Sequence, residues 1–250
     1  MQFFSYLING ISLGSVYALI ALGYTMVYGI AKMLNFAHGD VIMIGSYVVY
    51  FAFGASGLNP VLSIVLSMIV CTILGVVIER LAYRPLREAP SLAVLITAIG
   101  VSYLLQQVAQ LSWSSNPKSF TSVVSGMKPV SLFGGQLTIS AETIVTIVAC
   151  VVIMVVLMWF VNYTPAGHAM LAVSEDRGAA QLMGVNVNGT ISLTFAIGSG
   201  LAAIAGVLLC SAYPTLVPTT GSMPGIKAFT AAVFGGIGSI SAGRTAAGHH

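Results

Sequence analysis

Hydrophobic residues run along this chain in long blocks, broken by short polar stretches at uneven intervals. No Asp, Glu, Lys or Arg occurs in residues 1–31, 41–78, 89–117, 143–174 or 178–226. A helix needs about 20 mostly apolar residues to cross a hydrocarbon core of roughly 30 Å. Each block meets that length, and 41–78 and 178–226 are long enough for more than one element. The blocks are not ten-residue segments of alternating polarity, so a transmembrane β-barrel is excluded. The pattern predicts an all-α fold: a polytopic transmembrane helical bundle with about six full spans, plus broken or re-entrant half-helices.

The interruptions divide the chain. Spans are predicted over residues 4–28, 41–53, 61–78, 91–111, 143–161 and 191–212. A polar break at 32–40 separates the first two, and "GASGLNP" (54–60) reads as a turn by its Gly, Asn and Pro. Residues 79–88 and 162–190 form polar connections, and 112–142 is the longest of them. The last apolar piece, 227–240, is too short to cross a bilayer as a full helix. Small residues at helical spacing, such as Gly10 and Gly14 or Ala202 and Gly206, fit ordinary close packing of helices in lipid.

Composition makes the membrane reading firm. Hydrophobic residues make up 57% of the 250 and charged residues 6%, against about 25% charged in a soluble domain. The net charge of +3 is too small and too scattered to point to nucleic acid. Cys71, Cys150 and Cys210 lie far apart inside apolar blocks and read as small hydrophobes. The N-terminus lacks a basic region and cleavage site, so it reads as a retained first span. With the N-terminus outside, Lys32, Arg80, Arg84, Arg87 and Arg177 fall on the inner side, and Lys118 and Lys128 on the outer. Cytoplasmic loops hold the Lys and Arg excess, so the N-terminus is expected outside.

The stretch with most chemistry is "MLNFAHGDVIMIG" (33–45), where Asn35, Phe36, Ala37, His38, Gly39 and Asp40 follow the first span. A metal site is disfavoured, since His38 and Asp40 point apart on a helix and three or four ligands are normally needed. Two readings stay open on the residues alone. One is a plain turn. The other is a helix broken inside the membrane, with Asn35 capping a half-helix from about Phe36 whose N–H groups face a polar cavity. Lys227 is a lone cation at the head of an apolar piece. It reads as an interface residue that snorkels to head groups, or as a contact for a substrate carboxylate.

Residues 162–190 contain "AGHAMLAVSEDRGAAQLMGV". Ser174 precedes Glu175 and Asp176, as an N-cap precedes a first acidic turn, and Gly184 stands where a helix often stops. One short exposed helix from Ser174 to Gly184 is expected, with Arg177 in it. Arg80, Arg84 and Arg87 read as a basic anchor at the membrane face, with contact to a partner subunit or to anionic lipid as a lesser option. No G-x-x-x-x-G-K-[ST] motif appears, so the chain carries no P-loop.

"LNFAHGDVIMIGSYV" (34–48) resembles the signature of the permease subunits of branched-chain amino acid ABC importers of the LivH type. "NGISLGSVYALIALGYTMVYGI" (9–30), "ERLAYRPLR" (79–87), "SEDRGAAQLMGV" (174–185) and "GIKAFTAAVFGGIGSI" (225–240) are similar to that family in the same order. The resemblance covers residues 1–240 as one transmembrane permease domain, with 162–190 as its cytoplasmic coupling segment. It implies an inner-membrane subunit, not itself an enzyme, that imports branched-chain or related amphipathic amino acids. A second permease, two ATPase subunits and a periplasmic amino-acid-binding protein are the implied partners. ATP would be bound by the ATPases and no cofactor by this chain. The resemblance favours the broken-helix reading of Asn35 to Asp40 and assigns Ser174, Glu175, Asp176, Arg177 and Gly184 to ATPase coupling. A stand-alone channel or secondary transporter for small solutes such as urea or amides is the alternative. Family members add further spans after Ile240, whereas here "SAGRTAAGHH" (241–250) reads as an atypical tail or truncation.

Overall fold

The computed structural model describes residues 2–124, 130–132 and 137–235. The expected tail at 241–250, the end of the last apolar piece and Lys128 lie outside the described residues. Among the described residues nine α-helices run in order: α1 Gln2–Ala31, α2 His38–Val49, α3 Pro60–Ile78, α4 Ser91–Trp113, α5 Ala141–Tyr163, α6 Pro165–Glu175, α7 Arg177–Leu182, α8 Val187–Ala212 and α9 Ser222–Phe234. Among the described residues five stretches are long and apolar enough to cross a membrane: Tyr6–Ala31, Pro60–Leu86, Ser91–Trp113, Ala141–Tyr163 and Val187–Ala212. That is one fewer than the six read from hydropathy. The difference is α2, which begins inside the bundle and ends in a π-helical turn, Tyr50–Ala55.

Local chemistry explains several boundaries. Asn59 caps α3 by accepting the Val61 N–H, and Pro60 takes the first helical position, where its missing N–H costs nothing. Ser140 caps α5 by accepting from Thr143 N–H, and Asn186 caps α8 by accepting from Gly189 N–H. The 112–142 connection holds short strands. There β2 (Val130–Leu132) pairs antiparallel with β3 (Leu137–Ile139), and β1 (Lys118–Ser119) pairs antiparallel with β4 (Thr215–Leu216), which lies between α8 and α9. These cover one end of the bundle.

At the centre lies α8, whose residues from Gly198 to Ser211 are almost all buried. Its neighbours approach through residues that lack bulk. A Cβ on Gly206 would lie 2.5 Å from the Ile42 carbonyl oxygen and 2.7 Å from Ser46 Oγ. Close backbone approach of this kind supplies packing where no hydrophobic force drives helices together. By contrast, α3 turns a wholly aliphatic face outward, including Val65, Ile69 and Ile73, and the middle of α5 exposes Val151, Val152, Val155 and Val156. Those faces suit lipid tails.

Candidate functional site

The site is built around the break between α1 and α2. After α1 ends at Ala31, Lys32 takes a positive φ of 52° and the chain turns back. Residues 32–35 run in non-helical conformation, with Met33 and Asn35 buried, and α2 starts only at His38. The His38 ring lies 4.6 Å from the Tyr24 ring, and a Cβ on Gly23 would meet His38 Nε2 at 2.5 Å. Gly23 stands eight residues before the end of α1, about 12 Å along the helix at 1.5 Å per residue. The N-terminus of α2 is therefore inside the bundle, below the membrane face where α1 ends. Irregular backbone at such depth is tolerated only where protein buries it or a cavity solvates it.

The capping differs from the expected one. Ala37 occupies the N-cap position and gives no side-chain bond. The Asn35 side chain faces away, where Oδ1 accepts a hydrogen bond of 3.0 Å from the Tyr83 hydroxyl. Only its backbone serves the helix, with the carbonyl accepting from His38 N–H at 3.2 Å. Asn35 thus ties the broken segment to the end of α3. His38 is fully buried, and its Nε2 has no hydrogen-bond partner among the described residues.

A second helix begins at the same place. Between β4 and α9 the chain folds back into the bundle, and the N-terminus of α9 abuts that of α2. A Cβ on Gly221 would overlap the Gly39 carbonyl, and one on Gly39 would lie 2.6 Å from the Gly221 carbonyl oxygen. Neither helix has a side-chain cap. Two partial positive charges from the helix ends therefore converge. Asp40, in the first turn of α2 and 1% exposed, answers them with its carboxylate. That carboxylate accepts a 2.9 Å hydrogen bond from Gln106 Nε2, which also reaches Ser102 Oγ and Ser222 Oγ at 3.2 Å each. One amide thus bridges α2, α4 and α9.

Phe36 is part-buried, with its ring 5.5 Å from Phe229 of α9, and Ala37 is buried. Lys227 lies one turn into α9 and is exposed, with Nζ 5.9 Å from the Tyr17 ring centroid. Tyr17 is near the middle of the Tyr6–Ala31 span. Lys227 is therefore a cation at mid-depth rather than at the membrane surface. The sequence placed α9's start at Lys227, but the helix begins at Ser222 and includes Pro224 and Gly225. Of the seven residues expected on a pathway, Asn35 to Asp40 make up the break and the first turn of α2, all buried or part-buried, and Lys227 is exposed on α9.

The segment that carries Ser174 to Gly184 also differs in detail from the expected one. It forms two helices rather than one. Ser174 sits within α6, its hydroxyl donating to the Leu171 carbonyl at 2.6 Å. Glu175 ends α6, and Asp176 is the cap of α7, accepting from Gly178 and Ala179 N–H at 2.7 and 3.0 Å. Gly184 ends the unit with a φ of 85°, a conformation that suits glycine. Arg177 donates to the Ala31 carbonyl at the end of α1. The sequence reading missed Leu182 and Met183, which are 89% and 84% exposed beside Gly184. It also missed Glu79, which is fully buried, pairs with Arg87 and accepts from Ser192 Oγ at 2.6 Å. Arg87 donates further to Asn188 Oδ1.

Residues 6–247 match the family model described as branched-chain amino acid transport system, permease component. The chain is 45% identical over 246 residues to the high-affinity branched-chain amino acid transport system permease protein BraD of Pseudomonas aeruginosa, covering 94% of this chain and 79% of that protein. It is 42% identical over 251 residues to LivH of Escherichia coli strain K12, covering 96% and 81%. A more distant relative, the ribose import permease protein RbsC of Haemophilus influenzae, is 27% identical over 232 residues, covering 89% and 66%. No solved structure matches the chain. It is a multi-pass membrane protein with ATP hydrolysis on a separate subunit, and it belongs to the permease-component family of branched-chain amino acid ABC transport systems.

Proposed function

We propose that this chain carries leucine, isoleucine and valine inward, alongside a second permease, with two ATPases and a periplasmic binding protein. The observation that carries the reading is the junction of the α2 and α9 N-termini inside the membrane, with Lys227 beside it at mid-depth. Broken helices of this kind form transport sites, since their free ends act on ions without side-chain charge. An ionisable residue at such depth is expensive and marks a pathway. In this scheme Lys227 meets the substrate carboxylate, and Asn35 to Asp40 hold the floor rigid. The apolar side chain of the substrate asks for little beyond width.

The α6–α7 unit is the ATPase contact. Glu175 and Asp176 face solvent, and Leu182 and Met183 present bare apolar tips that fit a cleft on a partner. Arg177 links the unit to α1, and through it a movement of the ATPase reaches the break. Orientation follows from charge. Lys32, Arg80, Arg84, Arg87 and Arg177 all lie at the end of the bundle where α1 and α3 finish, and Lys118 lies at the other, over Tyr50. This supports an N-terminus in the periplasm.

The test is ATP-driven uptake into vesicles carrying the chain with its partner subunits. Leucine should accumulate and be competed by isoleucine and valine, but not by ribose or urea. Accumulation of ribose instead, or uptake that needs no ATP, would overturn the assignment. Lys227→Met should lower leucine uptake while Lys227→Arg retains it. Unaltered uptake in Lys227→Met would remove that residue from the path.

A further inference from the structure

Where α1 ends and α4 begins, a cavity of about 350 Å³ opens at the membrane face. Lys32, Arg87 and Arg177 line it, Ser91 stands at its rim, and Val94 and Leu95 form one wall. None of its lining residues is acidic. The three cations come from separate parts of the chain and are held in place independently. Glu79 fixes Arg87 from behind, the Ala31 carbonyl fixes Arg177, and the turn after α1 fixes Lys32.

Several features leave this cavity short of negative charge. The Arg87 Nε is buried with no hydrogen-bond partner among the described residues. Burial, and then the nearby Arg87 guanidinium, lower the pKa of Arg177. The first turn of α4 has no side-chain cap, and Ser91 places it on the cavity. Unsatisfied N–H groups at a helix start favour an anion. Lys32 adds a cost of its own, because a φ of 52° is rare for a residue with a side chain. Glycine would take that turn without strain, yet a cation stands there.

We propose that this cavity binds the phosphate head group of an anionic membrane lipid. The acyl chains then lie along Val94, Leu95 and the exposed Leu92 and Ile96 of α4. Basic pockets between helices at a membrane face bind such head groups. The aliphatic wall running on from the cations favours a lipid over free phosphate. The inference rests on the helices crossing a membrane, not on which amino acid is carried.

Native mass spectrometry tests this on the full chain, purified with its partner subunits and exchanged into phosphatidylcholine containing phosphatidylglycerol as the probe. The unaltered protein should retain phosphatidylglycerol selectively. Lys32→Gly and Arg177→Gln should each lower that retention by about five-fold, with phosphatidylcholine unchanged. Lys32→Gly also relieves the strained turn, so its melting temperature should equal or exceed that of the unaltered chain, which separates lost binding from lost folding. Equal retention in both variants would overturn the proposal. In a second arm inorganic phosphate is the probe. Phosphatidylglycerol retained in millimolar phosphate supports a lipid site, and its displacement by phosphate alone would overturn the lipid assignment. Leucine uptake is scored separately, so failure to import leaves the lipid result readable.

Discussion

Arg87→Ala would strand a charge at the end of α3. The Glu79 side chain is 0% exposed and its partner Arg87 is 12% exposed, so little water reaches the pair. Removing the arginine leaves Glu79 with Ser192 as its remaining donor. Deleting one partner of a buried ion pair costs about 3–5 kcal/mol, because the other charge stays desolvated. A fully polar but uncharged pair avoids most of that cost, since buried ion pairs are often replaced with little loss. Glu79→Gln with Arg87→Gln should therefore be more stable than Arg87→Ala by about 2 kcal/mol or more. Unfolding titrated with a denaturing detergent in mixed micelles reads the difference, and a double-mutant cycle isolates the coupling. If Arg87→Ala costs less than about 1 kcal/mol, as an exposed pair would, water reaches Glu79 and the burial argument fails.

Asp176→Ala should weaken α7 by about 1 kcal/mol and lower transport-coupled ATP hydrolysis, whereas Ser174→Ala should leave hydrolysis unchanged. Equal effects would return the cap to Ser174. Gly221→Ala drives a methyl group into the Gly39 carbonyl, and overpacking of this kind costs about 1–3 kcal/mol. Gly10→Ala, where nothing lies within 4 Å, is its control in a melting assay. Tyr83→Phe removes the hydroxyl that reaches Asn35 and should cost about 1 kcal/mol, read by the same melt.

The bundle was legible in hydropathy because long helices in lipid must be apolar along their whole length. The span read as 91–111 is observed as Ser91–Trp113, and the turn before Pro60 carries the Asn59 cap. The break near Asn35 was visible as polarity between two apolar blocks. Its depth was not, because depth depends on His38 meeting Gly23 and on Gly221 meeting Gly39, contacts made across the fold. The cap of α7 was misread by two residues because Ser174 and Asp176 both carry a suitable oxygen. Geometry decides for Asp176, whose carboxylate reaches two N–H groups. Glu79 stands beside Arg80 in the sequence, and nothing local marks it for burial. A π-helical turn, Glu79–Tyr83, changes the register of the helix face there and carries Glu79 towards Ser192, a partner 113 residues away in sequence.

Water access at Lys227 decides whether the α2–α9 junction lines a path. Cys71, Cys150 and Cys210 are all buried, so replacing them gives a background in which a single new thiol can be followed. Lys227→Cys and Val155→Cys are then compared, the first beside the α2–α9 junction and the second on the aliphatic face of α5. A charged, membrane-impermeant thiol reagent should modify Lys227→Cys, more slowly when leucine and its binding protein are present, and should leave Val155→Cys untouched. If both positions resist the reagent alike, Lys227 faces lipid and the junction lines no path.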